Sequence, residues 1–112
     1  MSSPLTTHVL DTARGVPASG VPVTLEVADG EGWRVLATAV TNDDGRVAGL
    51  VEGRLSSTTY RMSFDTDAYW AALGIEGFYP VARVVFRVTT PDTHHHVPLL
   101  LSPFGYSTYR GS

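Results

Sequence analysis

His94-His95-His96-Val97-Pro98-Leu99-Leu100-Leu101-Ser102-Pro103-Phe104-Gly105-Tyr106-Ser107-Thr108-Tyr109-Arg110-Gly111-Ser112 closes the chain. Termini are usually polar and frayed, whereas this one is apolar and aromatic, so the sequence predicts a buried C-terminal end. The stretch reads as two strands, His94 to Leu101 and Phe104 to Arg110. In the first, alternation places His95, Val97, Leu99 and Leu101 on a core-facing side and His94 and His96 on the other. In the second, Phe104, Tyr106 and Thr108 share a face that can fill a core. Gly105, Ser107, Tyr109 and Gly111 share a small polar face that suits a subunit interface or a ligand pocket.

The rest of the chain repeats that grammar. Strands are expected near Thr6 to Asp11, Val21 to Ala28, Trp33 to Thr41, Val47 to Leu50, Thr59 to Asp65 and Val81 to Thr89. They are separated by turns at Gly15 to Gly20, Asp29 to Gly32 and Asn42 to Gly45. One segment breaks the pattern: Asp65 to Gly74 offers Asp65 or Thr66 as an N-cap, good helix formers and Gly74 as a stop. A mostly β protein of eight strands and one short helix follows, in a sandwich or barrel.

Composition narrows the function classes. The chain has 112 residues, one domain's worth, with 43% hydrophobic and 17% charged residues, so a packed core is expected. Net charge is −3, and the eight basic residues, all Arg, form no cluster, which argues against a nucleic-acid partner. The absence of Cys removes thiolate chemistry and Cys-based zinc sites, and the absence of Lys removes Schiff-base catalysis. No run approaches the ~18 apolar residues of a membrane span. Met1-Ser2-Ser3-Pro4 has no basic n-region, so the chain reads as cytoplasmic.

What remains for chemistry is His, Arg, carboxylates and hydroxyls. Thr6, His8 and Leu10 share one face of the first strand, so two strands each present outward-facing His. Such residues could be a general base and its partner, since imidazole titrates near neutral pH. They could hold a metal, because His-x-His on a strand is an acceptable zinc spacing. They could also form a plain solvated face. Arg46, after the Asn42 to Gly45 turn, is either an exposed charge or a fork for an anionic oxygen. Arg110 admits the same two readings, with an ion pair favoured by its place in the C-terminal end. Ser107, Ser112 and Tyr109 supply hydroxyls, but no Gly-x-Ser-x-Gly elbow activates a Ser. Asp43 and Asp44 fit turn chemistry.

His8-Val9-Leu10-Asp11 with Arg14-Gly15, Asp44-Gly45-Arg46, Phe78-Tyr79-Pro80 and above all His94 to Ser112, ending in Tyr109-Arg110-Gly111-Ser112, resemble the 5-hydroxyisourate hydrolase family, which is related to transthyretin. Transthyretin shares Leu100 to Pro103 and the helix around Tyr69-Trp70 but lacks the histidines and the terminal tag. The resemblance implies an eight-stranded transthyretin-like β-sandwich with one short helix, assembled as a homotetramer with active sites at the mouths of a channel. It implies His8, Arg46, His96 and Tyr109 as site residues, with Ser112 and its carboxylate nearby, and a purine-derived substrate hydrolysed at its ring lactam without metal or cofactor. The product would be 2-oxo-4-hydroxy-4-carboxy-5-ureidoimidazoline. In the family's pattern His95 is a Tyr. The rival readings are a non-catalytic transthyretin-like binding module, a metal-dependent hydrolase using His8, His94 and His96, and a purely structural sandwich.

Overall fold

The computed structural model describes residues 3–47 and 49–112. Its strands are β1 (Leu5–Asp11), β2 (Val16–Pro17), β3 (Pro22–Asp29), β4 (Gly32–Val40), β5 (Arg46–Val47), β6 (Thr59–Phe64), β7 (Ala82–Arg87), β8 (His95–Ser102) and β9 (Gly105–Thr108), with helix α1 (Thr66–Ala72) between β6 and β7. One sheet runs β2-β1-β8-β9, with β5 also on β1, and the other runs β4-β3-β6-β7. The expected eight strands become nine because the Gly15 to Gly20 turn holds the two-residue β2. The expected Val47 to Leu50 strand contracts to Arg46–Val47, and its residue 48 lies outside the described residues.

Period-2 patterning builds the sandwich. Leu5 and Val9 of β1 and Leu99 and Leu101 of β8 are buried against Val23 and Leu25 of β3 and Met62 and Phe64 of β6. Burying one such Leu contributes about 1.5–3 kcal/mol, so the two inner faces supply most of the cohesion. Thr7 is a polar group in this layer and is satisfied by donating to the Val97 carbonyl at 2.6 Å. The helix behaves as its sequence predicts. Asp65 accepts from the Ala68 N–H, Gly74 follows with φ +68°, and Tyr69 and Trp70 are buried.

Two expectations about the C-terminal end need correction. Val97, Leu99 and Leu101 are buried, but Phe104 is 76% exposed and Tyr106 to Arg110 are exposed as well. Phe104 sits in the turn between β8 and β9, and β9 is the edge strand of its sheet; Tyr79 meets the Tyr106 ring edge-on at 5.4 Å, and the rest of this end stays open among the described residues. Arg110 makes no ion pair among the described residues.

Asp11 ends β1 and is only 1% exposed. Its Oδ1 accepts from the Ala13 and Arg14 N–H groups, and its Oδ2 accepts from Tyr69 Oη at 2.7 Å and Arg14 Nε at 3.0 Å. Burial raises the pKa of this carboxyl, but the hydrogen bonds from Tyr69 and Arg14 outweigh it and hold it below the ordinary carboxylate value. The unfolded chain therefore binds the proton more readily, and stability is lost as pH falls from the ordinary value through the lowered one. Asp11→Asn is expected to cost about 2–3 kcal/mol near neutral pH, with a flatter dependence of stability on pH below about 4. Urea denaturation at a series of pH values checks both, and an unchanged midpoint would refute the role.

Candidate active site

The outer face of the β1-β8 sheet gathers the residues left over from the core. β1 and β8 run parallel, with Thr6 beside His96 and His8 beside Pro98. On the other flank of β1, His8 is paired with Arg46 of β5. Partners in register project to the same side of a sheet, so Thr6, His8, Arg46 and His96 share one outer patch only two strand spacings wide. Arg46 is aimed by its turn: Asn42 Oδ1 accepts from the Asp44 and Arg46 N–H groups, each at 3.0 Å, and the Asn42 N–H donates to the Arg46 carbonyl.

The three consecutive histidines divide as alternation requires. His95 is buried at 4% exposure, and its Nδ1–H donates to the Thr93 carbonyl at 2.9 Å. It faces the interior and takes no part in the outer patch. His94 and His96 both reach the outer face, where Thr6 Oγ1 lies 2.9 Å from His94 Nε2 and 2.8 Å from His96 Nδ1. Among the described residues His96 Nε2 makes no protein hydrogen bond. Burial, then the Arg46 and His8 charges, lower the His96 pKa below its ordinary value. The ring is therefore neutral at pH 7, with one nitrogen free to accept.

The terminal tail closes over this ring. The register that pairs Leu99 with Thr108 continues to a bridge between His96 and Gly111, whose N–H donates to the His96 carbonyl at 2.8 Å. The same register brings Tyr109 beside Pro98, hence beside His8 and His96, with its ring 59% exposed. Glycine at 111 is a packing requirement, since a Cβ there would stand 2.5 Å from His96 Cδ2 and 3.1 Å from Cγ. Ser112 follows directly and is exposed. Thr6 and Arg46 line an open cleft of about 610 Å³, and a second of about 280 Å³ opens at the sandwich edge between β7 and β9, where His96, Tyr109 and Arg110 meet the interior-facing His95 and Val97 with Val84 and Phe86.

Of the residues expected from sequence, His8, Arg46, His96 and Tyr109 are thus brought together, and Ser112 is carried to the edge of the patch by Gly111. Thr6 and Gly111, which contact His96 directly, had no assigned role. Among the described residues no group of three or more His, Asp or Glu side chains has a geometry for holding a metal ion. What the patch can do is abstract a proton at His96 Nε2 and meet developing negative charge with the Arg46 guanidinium.

Comparison with known proteins agrees on the whole chain. Residues 5–111 match the model of the HIUase/Transthyretin family. The chain is 50% identical over 114 residues to the 5-hydroxyisourate hydrolase of Mus musculus, covering 99% of this chain and 97% of that one. The solved structure of Klebsiella pneumoniae 5-hydroxyisourate hydrolase superposes with a TM-score of 0.85 at 38% identity, covering 96% and 98%. Sea bream transthyretin in complex with thyroxine superposes with a TM-score of 0.88 at 35% identity, covering 97% and 95%.

Proposed function

This chain belongs to the HIUase/Transthyretin family, and from that premise we propose that it hydrolyses 5-hydroxyisourate in urate degradation. The fold does not choose between a hydrolase and a thyroxine-binding transthyretin, because both superpose about equally well. The observation that carries the choice is the outer patch: His96, its pKa lowered and its Nε2 without a protein hydrogen-bond partner among the described residues, beside His8 and Arg46 and against the C-terminal tail. An apolar carrier cleft has no use for that arrangement.

In this reading His96 Nε2 takes a proton from water as its oxygen attacks the ring carbonyl of the lactam. Arg46 meets the oxyanion. His8 shares the proton transfer, and the proton returns to the ring nitrogen as the C–N bond breaks. Tyr109 orients the ring, and the Ser112 carboxylate stands at the rim. No step calls for a metal or cofactor. General-base catalysis and a single oxyanion donor contribute about 10²- to 10⁴-fold and about 10²- to 10³-fold respectively.

A homotetramer belongs to the same proposal. The edge strands β7 and β9 adjoin, since Val84 to Arg87 and Thr108 to Arg110 line one cleft. They leave unpaired strand edges beside exposed Phe78, Val85, Phe104 and Tyr109. Such an edge favours pairing with a second copy, and the small polar face of the tail suits a further contact.

The test is the ultraviolet decay of freshly generated 5-hydroxyisourate with and without the protein, in the presence of EDTA. Acceleration that survives the chelator is expected. No acceleration by a folded protein would favour the binding module, and loss to chelator restored by metal would favour the metal-dependent reading. Sedimentation should give about four times the 12.0 kDa chain mass. A 12 kDa species would sink the shared channel.

A further inference from the structure

Thr6 Oγ1 stands between two imidazole nitrogens, His94 Nε2 at 2.9 Å and His96 Nδ1 at 2.8 Å. A hydroxyl has one proton, so it donates to one ring and accepts from the other. If it donates to His96, the lone pair of Nδ1 is consumed and the neutral ring carries its proton on Nε2. If it donates to His94, the Nδ1–H of His96 donates to Thr6, and Nε2 keeps its lone pair.

The surroundings favour the second arrangement. Thr6 occupies the Nδ1 edge of the His96 ring and Gly111 packs against Cδ2, so the open edge is the one that carries Nε2. His94 is exposed, so its own Nδ1–H can be satisfied by water. The arrangement also survives turnover. When Nε2 gains a proton, the bonds from His96 to Thr6 and from Thr6 to His94 both persist, whereas uptake at Nδ1 would break the contact with Thr6.

We propose that Thr6 is a positioning residue whose hydroxyl, anchored on His94, holds His96 in the tautomer with Nδ1 protonated and Nε2 free as the base. The proposal rests on the reading of His96 as the general base. It gives His94 a role as well, as the acceptor that fixes the direction of the Thr6 proton. The charged and titratable groups around the ring are His8 from β1, Arg46 from β5 and His94 beside β8. Tyr109 and Arg110 of the tail and Arg87 of β7 line the cleft that His96 also lines.

The experiment uses full-length protein labelled with ¹⁵N-histidine and two variants. Thr6→Val keeps the β-branched shape without the hydroxyl, and Thr6→Ser keeps the hydroxyl. Long-range ¹H–¹⁵N spectra at about pH 8, above the ordinary imidazole pKa, read the tautomer directly. Parent and Thr6→Ser are expected to show His96 protonated at Nδ1, and Thr6→Val to lose that preference. Thr6→Val should also lower kcat about 10-fold or more with KM within about threefold, while Thr6→Ser restores kcat to within about threefold of the parent. A His96 protonated at Nε2 in the parent, or an unchanged His96 spectrum in Thr6→Val, overturns the proposal. A changed tautomer with unchanged kcat supports the role of Thr6 in the tautomer and overturns instead the assignment of His96 as the base.

Discussion

His96→Ala is expected to lower kcat/KM for 5-hydroxyisourate by about 10²- to 10⁴-fold, the scale of a lost general base. The ring is the meeting point of the patch, with Thr6 on Nδ1, Gly111 on Cδ2, and Arg46 and His8 acting on its charge. Truncation removes the ring that makes glycine necessary at 111 but keeps the His96 carbonyl that accepts from the Gly111 N–H, so the tail stays paired with β8 and the loss reports the ring's own chemistry. The pH dependence carries a separate signature. Burial, assisted by Arg46 and His8, lowers the His96 pKa, so the neutral base persists below the ordinary imidazole value of about 6.5. As pH falls through the lowered value the ring charges and the base is lost, which sets the acid limb of the parent's rate profile below about pH 6.5. Initial rates between about pH 5 and 9, with sedimentation to confirm equal assembly, check both claims. Turnover within a few-fold of the parent in His96→Ala would remove this residue from the chemistry.

Much of this site was legible because alternation is a local property. Period 2 alone separates His95 from His94 and His96, and it places Thr6 and His8 outward on β1. The structure keeps both assignments. What alternation does not encode is which strands become neighbours. β1 and β8 are parallel partners about ninety residues apart in sequence, and their register is a tertiary outcome of packing both inner faces. Without that pairing Thr6 is one more hydroxyl on a polar face. The only local signal is that it shares that face with His8. Gly111 was visible as part of a small polar face, but the ring that demands its smallness is supplied by β8. Asp11 and Arg14 can be seen flanking a turn, while the Tyr69 that completes their network comes from the helix. The error about the C-terminal end has the same origin. Apolar residues in Phe104 to Tyr109 read as core, but they fall on a turn and on β9, the edge strand of its sheet, and alternation does not encode which strand lies at an edge.

Gly45→Ala should cause the largest loss of stability from a single methyl group. Gly45 adopts φ +73°, and an added Cβ would collide with the Val9 carbonyl while standing 3.2 Å from the Ala18 nitrogen and the Pro17 Cβ. None of these neighbours can retreat freely. The Val9 carbonyl already accepts from the Ala18 N–H at 2.9 Å, the Val9 N–H donates to the Gly45 carbonyl at 2.8 Å, and β1 is held on its far side by β8. Steric conflict is thus added to the cost of a positive φ, and the sum should be about 3 kcal/mol or more. Gly30→Ala separates the two contributions, because Gly30 has φ +62° with nothing within 4 Å of its added Cβ. That variant should lose only about 1–2 kcal/mol, the conformational cost alone. The difference bears on function because Arg46 is the next residue and His8 is its cross-strand partner. Any Gly45→Ala protein that folds must move β5 away from β1, and Arg46 moves with it. Its kcat/KM should therefore fall toward that of Arg46→Ala, about 10²- to 10³-fold below the parent, whereas Gly30→Ala keeps parental turnover. Thermal unfolding paired with initial rates decides the matter. Equal stability losses at positions 45 and 30 would show that the β1-β5 contact tolerates a methyl group. Full activity in a folded Gly45→Ala would show that the placement of Arg46 does not depend on this close approach.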